Sequence, residues 1–406
     1  MSSAPALDQS LNELLKNDAV QRAFGYFEAQ AEAITEEQIK INSIAAPPFG
    51  EVERAVYLRE RFQQLGLSDA EIDGEGNCLA VRRGKYDQPL LVISAHLDTV
   101  FAADVDLTPK RAGAKICAPG IADDACGLIA LIAIADAFAS AELQTTGSIL
   151  FVGTVGEEGE GNLRGVRYLF TQGEWTNRID AFISFDGAGL NRITTAALAS
   201  RRYRVRFTGP GGHSWSDFGV ANPINAAALA VAKLGAYPVS TDPRTTFNVG
   251  KIQGGHSVNA IPRDASIDVD LRSASATELL KLDAFFRRAV REAVDEVNIG
   301  RRGGSAALVV ETNLLGERPG GATSSEHSLV QLAWSATAAV GGTPRLELAS
   351  TDANLPISLG VPAITLGGGG SSANSHTPEE WFDPRGRTAA LKRALLVILG
   401  TIGIAN

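Results

Sequence analysis

The chain opens in helical periodicity. Apolar residues recur at helical spacing from Asn12 to Leu65, broken at Ala46-Pro47-Pro48-Phe49-Gly50, where two prolines impose a loop, so the pattern predicts helix, loop, helix. The period then shortens. Cys78 to Arg82 and Pro89 to Ser94 read as strands, and LLVIS in the second is a nearly unbroken apolar run of the kind buried on both faces, ending at His96. Gly127 to Ala139 is apolar at nearly every position and predicts a buried helix; SILFVGT (148–154) is a second buried strand, ending ahead of Glu157-Glu158. A helix over Leu163 to Thr171 leads to a third such strand, AFISF (181–185), which stops at Asp186. Strand and helix alternate, as in an α/β sheet.

The middle of the chain has another texture. From Arg202 to Thr208, Tyr203, Val205 and Phe207 alternate with Arg204, Arg206 and Thr208, which predicts a strand with one wet face. Asn222 and Pro223 cap and open a helix, strands follow near Thr245 to Ile252 and Ser266 to Arg272, then a long helix from Thr277 to Val297 and a strand at Ala307 to Thr312. The order βαββαβ is that of a ferredoxin-like α+β unit, complete in itself. A domain over 200–312 is therefore expected to interrupt a first domain built from 1–199 and 313–406, where a helix (Ser328 to Val340), a strand (Ala363 to Leu366), the run Gly367 to Gly370 and a closing helix (Arg387 to Ile398) resume the α/β pattern.

A length of 406 residues agrees with two domains, and 45% hydrophobic with 20% charged residues is ordinary for a soluble globular chain. The net charge of −9 and pI near 5.2 argue against nucleic acid or anionic membrane as partners. Cys78, Cys117 and Cys126 form no CxxC pair and suit a reducing compartment; the N-terminus shows neither a basic nor an apolar leader region, so a cytoplasmic address is expected. The longest apolar runs, Leu128 to Ala135 and Leu395 to Ala405, are shorter than the ~18 residues that span a bilayer.

Candidate chemistry gathers where buried strands end or glycines turn the chain: His96 and Asp98 in SAHLDTV, Asp123 in PGIADDACG, Glu157 and Glu158 in GTVGEEGEG, Asp186 in SFDGAG, and His376 in NSHTPEE. In open α/β sheets ligands bind at the carboxyl ends of strands, so these side chains are expected to converge. A buried cluster of carboxylates needs countercharge, and mixed histidine and carboxylate donors suit zinc, manganese or cobalt rather than magnesium or calcium.

Taken in order, SAHLDTV, GIADDACG, GEEGEGNLRG, FDGAG, GPGGHSWSDFG and NSHTPEE resemble the dinuclear zinc peptidases and deacylases that include peptidase T, carboxypeptidase G, acetylornithine deacetylase and succinyl-diaminopimelate desuccinylase. The resemblance spans almost the whole chain. It implies two divalent metal ions, one held by His96 and Asp186, the other by Glu158 and His376, with Asp123 bridging. Glu157 is then the general base, Asp98 the carboxylate that fixes the His96 tautomer, and His213, in GPGGHSWSD, the oxyanion donor delivered across a homodimer by the inserted domain. Asn259 and Arg272 match substrate contacts, and Gly367 to Gly370 can offer backbone N–H groups; His256 and His327 match no ligand position. Many relatives carry lysine where this chain has Ala125, followed by Cys126. Asp at 186, where deacylases carry Glu, and the FDGAG wording implied an aminopeptidase, dipeptidase or tripeptidase. An N-acyl amino acid deacylase is the alternative, and a non-catalytic binding protein on the same fold a remote one.

Overall fold

A computed structural model describes residues 4–405. The reading of a leaderless N-terminus rests in part on Met1 to Ser3, which lie outside them. The chain divides into two compact units, Met1–Ala197 with Ala322–Asn406, and Leu198–Gly321.

The first unit is built on a mixed sheet whose centre is four parallel strands, in the order Ser148–Thr154, Leu90–His96, Ala181–Phe185 and Ala363–Leu366. Cys78–Arg82 pairs antiparallel on one side; on the other, Arg192–Ala197 pairs antiparallel with Ala363–Leu366 and parallel with Arg345–Ala349. The apolar runs follow from coverage of both faces. Leu91, Ile93, Phe151 and Ile183 pack into one cluster with the buried helix Ala125–Ser140 and the closing helix Arg387–Ile402. Their neighbours Val92, Leu150, Val152 and Phe182 face the other way, onto Val166, Leu169 and Leu355. Each such side chain contributes roughly 1.5–3 kcal/mol by leaving water.

Three details depart from the sequence pattern. The N-terminal helical region breaks twice more than expected: Ala4–Lys16, Asp18–Ala29 and Ala31–Asn42 are separate helices, and the Asn17 side chain accepts the N–H groups of Ala19 and Val20 to start the second. Arg192–Ala197 and Arg345–Ala349 are strands that the pattern did not announce, and so is a small four-stranded sheet ordered Ser371–Ala373, Trp381–Asp383, Lys115–Cys117 and Lys110–Ala112. Gly367 to Gly370 is a close-packed crossing. A Cβ at Gly368 would stand 2.6 Å from the Cys126 carbonyl oxygen, and the Gly368 N–H is committed to the carbonyl of Gly187 at 2.8 Å.

The second unit is a four-stranded antiparallel sheet, ordered Thr245–Gly254, Asp264–Ser273, Ala199–Thr208 and Val309–Arg318, with helices Pro223–Gly235 and Ala276–Ile299 on one face. Its last strand carries the unit past residue 312, to Gly321. Tyr203, Val205, Phe207, Ile267, Val269 and Leu271 are buried beneath the helices. Their neighbours on the wet face form ion pairs across the strands, among them Arg204 on Asp268, two contacts of 2.8 Å each.

Candidate active site

The parallel strands of the first unit run the same way, so their C-terminal ends open onto one edge. His96 is the last residue of Leu90–His96; Glu157 and Glu158 follow Ser148–Thr154; Asp186 follows Ala181–Phe185. The remaining two residues arrive by the small sheet. His376 lies in the hairpin between Ser371–Ala373 and Trp381–Asp383, and the latter strand pairs with Lys115–Cys117, which feeds the turn leading to Asp123.

Asp123 is the pivot. His96 Nε2 lies 2.9 Å from its Oδ1, and His376 Nε2 lies 3.2 Å from its Oδ2 and 2.9 Å from Glu158 Oε1. One carboxylate thus presents each oxygen to a different imidazole. Donor atoms of His96, Asp123 and Glu158 all lie within 4.8 Å of one another. Asp186 is not part of that triad but lies in its field: burial, then the charge of Asp123, pushes its carboxyl up to about 6. Hydrogen bonds to Asp123 and then Glu158 push His376 up to about 10. Burial of the His96 ring works against its charge, yet the field of Asp124 and the bonds to Asp123 and Asp98 prevail, and its pKa stands well above the ordinary value. Asp123 answers with a depressed pKa, the histidines outweighing its burial.

The donor set fits divalent cations. His96 Nδ1 donates to the Asp98 carbonyl oxygen at 2.9 Å, which leaves Nε2 to serve as the ligand atom, and the carboxylates around it draw positive charge. The Asp98 side chain, expected to fix this tautomer, also faces the ring and has a further task. Its carboxylate stands 3.7 Å from His96 Nδ1 and accepts the N–H groups of Glu157, at 3.0 Å, and Glu158, at 2.8 Å. Asp98 therefore orients the two glutamates, and its backbone orients the histidine.

Two further carboxylates hold the frame. Asp124 Oδ1 accepts the N–H groups of Gly127 and Gly187, each at 3.0 Å, and its Oδ2 the N–H of His96 at 3.2 Å, tying together three loops of the site. Glu380 accepts from Gly120, Ala122 and Asp123 at 2.9, 2.8 and 3.0 Å. Burial pushes the Glu380 carboxyl up to about 7 against the pull of those bonds. The sequence signalled both only as second members of the pairs Asp123-Asp124 and Glu379-Glu380, with nothing local to say which member turns inward. Ala125 and Cys126 are fully buried at the start of the helix behind this frame.

The other candidates lie in the second unit. His213 is exposed on a two-stranded ribbon, Gly212–His213 against Ala260–Ile261, which sets it beside Asn259. Its Nδ1 accepts from the N–H groups of Trp215, at 3.2 Å, and Ser216, at 3.4 Å, so the ring proton resides on Nε2. Asn259 Oδ1 accepts from Ser257, and Arg272 Nε holds Asp270 at 2.7 Å on the wet face of the sheet. His256 is exposed, and His327 caps the helix Ser328–Ala339 by accepting the N–H of Leu329.

Comparison with known proteins identifies the family. The pattern of Peptidase family M20/M25/M40 matches residues 92–402. A succinyl-diaminopimelate desuccinylase of Leptothrix cholodnii is 28% identical over 225 residues, 51% of this chain and 57% of the relative, so the chain spans little more than half the length of that protein. Among solved structures, the aminopeptidase PepT of Bacillus cereus superposes with a TM-score of 0.73 at 21% identity, covering 91% of this chain and 98% of that one. A tripeptidase of Staphylococcus aureus superposes at 0.76 and 19% identity, covering 91% and 99%. With the matched pattern running over the segments that carry His96, Asp123, Glu158, Asp186 and His376, the chain belongs to peptidase family M20/M25/M40.

Proposed function

We propose that this chain hydrolyses an amide bond in short peptides, as an aminopeptidase, dipeptidase or tripeptidase that depends on two divalent ions, zinc foremost and manganese or cobalt as substitutes. The observation that carries the reading is Asp123, each of whose oxygens faces a different histidine, the arrangement a carboxylate shared by two cations requires. His96 and Asp186 would hold one ion, Glu158 and His376 the other. Such a pair supplies a water of lowered pKa and polarises the scissile carbonyl.

The chain's own groups do the rest. Glu157, 4% exposed and aligned through its N–H on Asp98, takes the proton of the attacking water and returns it to the leaving amine. His213 is the proposed donor to the oxyanion, since its free tautomer carries the proton on Nε2. Exposed Trp215, Phe218 and Val258 beside His213 and Asn259 support pairing of two copies through the inserted unit. Asn259 and Arg272 are proposed to contact substrate, Arg272 exchanging Asp270 for a substrate carboxylate.

Asp186 and the likeness to PepT and the tripeptidase favour peptides; the desuccinylase similarity favours a second reading, hydrolysis of N-acyl amino acids. A panel of di- and tripeptides beside N-acetyl and N-succinyl amino acids, run with and without chelator, separates the two. Turnover of free-amino peptides that chelator abolishes and zinc restores is the expected result; turnover of acylated amino acids alone moves the assignment to the deacylase, and chelator-insensitive turnover ends both. No described helix is long and apolar enough to cross a membrane, which accords with a proposed cytoplasmic address.

A further inference from the structure

Asp352 is a buried acid that the proposed reaction leaves without a task. It is 1% exposed, in the turn ahead of the short helix Asn354–Ser358. Its Oδ2 lies against Thr154 Oγ1, and its Oδ1 has no hydrogen-bond partner among the described residues. Thr154 ends the strand that leads to Glu157, and its hydroxyl also faces the carbonyl oxygen of Ala95, 3.2 Å away, the residue before His96.

A hydroxyl carries one proton. With Asp352 ionised, Thr154 would stand between two acceptors and satisfy one, while a buried carboxylate kept one oxygen bare and, among the described residues, no ion pair. With a proton on Oδ2 the hydroxyl's count closes, Asp352 donating to Thr154 Oγ1 and Thr154 to the Ala95 carbonyl, and the bare Oδ1 belongs to a neutral group rather than to a charge. Burial pushes this carboxyl up to about 6 even with Thr154 as the donor, and the nearby charges of Asp98 and Asp186 work in the same direction against that of His96. Reversing the Thr154 bond favours the neutral acid further.

We infer that Asp352 is a neutral, hydrogen-bond-donating carboxylic acid that positions the loops of His96 and Glu157-Glu158 by locking Thr154 onto Ala95. Its own turn is anchored for the purpose. Thr351 Oγ1 bonds Thr365 Oγ1 at 2.7 Å on the strand Ala363–Leu366, and the Thr351 N–H donates to Asn354 Oδ1 at 2.9 Å. A rigid strand thus holds the acid against the ends of two others. A neutral group also adds no negative charge to a site that already gathers Asp98, Asp123, Asp124, Asp186, Glu157 and Glu158.

The kinetic part of the test rests on the hydrolase reading; the spectroscopic part does not. In the infrared difference spectrum of wild type minus D352N at neutral pH, a C=O band of a protonated carboxylic acid is expected. D352N, whose amide can still donate to Thr154, is expected to keep kcat, KM and the pH profile of kcat/KM within about threefold, whereas D352A loses about tenfold in kcat, the scale of one hydrogen bond. Absence of the band, a D352N that falls as far as D352A, or a D352A at the wild-type rate overturns the inference. Should D352A fail to fold, the band and the D352N kinetics decide. If no substrate is turned over by wild type, the hydrolase reading has failed and the band alone judges Asp352.

Discussion

The two units use the same elements to opposite ends. In the first, the four central strands are covered on both faces and carry charge only where they stop, so His96, Glu157, Glu158 and Asp186 collect at one edge, where a turn adds Asp123. In the second, polarity is spread along the strands, and Arg204, Asp268, Arg202, Asp270 and Arg272 neutralise one another across the wet face. Burial makes the difference. A charge at the closed edge of the first unit must find a partner or a cation, whereas a charge on the wet face of the second is stabilised by water at little cost. Substitutions in the two units should therefore differ in the property they damage and in size.

The largest effect is expected from Glu157→Ala. Removing the proposed base should lower kcat/KM by about 10²–10⁴ with the bound ion content unchanged, read by steady-state kinetics beside metal analysis; wild-type turnover would remove Glu157 from that role. Phe151→Ala, in the core beneath the same edge, should cost about 3–5 kcal/mol in denaturant unfolding. Glu380→Gln puts an amide where three backbone N–H groups converge and should cost about 1–3 kcal/mol, with weaker metal binding, measured by chelator competition. A metal affinity equal to wild type would show that the turn holding Asp123 does not depend on Glu380. Ion binding should also follow pH with a fixed sign. His376, pushed up to about 10 by its carboxylates, must lose its proton to become a ligand, so affinity should rise by up to about tenfold per pH unit below that value, with proton release seen by calorimetry in buffers of different ionisation enthalpy. The smallest effect belongs to the second unit: Arg204→Ala should shift stability by about 0.2–1 kcal/mol and leave turnover intact, and a larger loss would mean that its wet face is not wet in the working protein.

The elements that shape the site were legible where one local rule sufficed. Runs such as SILFVGT and AFISF have the length and β-branched or aromatic content of strands covered on both sides, and the charged residue that follows each falls at the sheet's edge. Asn222 and Pro223 announced their helix by cap chemistry alone. The small sheet was not legible, because its three-residue strands, Lys115–Cys117 and Trp381–Asp383, lie far apart in sequence and show no period until they pair. The same sheet brings His376 and Glu380 to Asp123.

By itself, then, the sequence determined which segments alternate between strand and helix, where the middle of the chain changes to half-exposed strands, and which histidines and carboxylates stand at strand ends. Hydrophobic period and cap chemistry are local, and a local pattern records them. Tertiary structure alone decided that Asp98 also holds the N–H groups of Glu157 and Glu158, that Asp124 and Glu380 face inward, and that Asp352 meets Thr154. Those choices depend on which buried N–H or hydroxyl lacks a partner, and that is set by distant segments only once they are packed together.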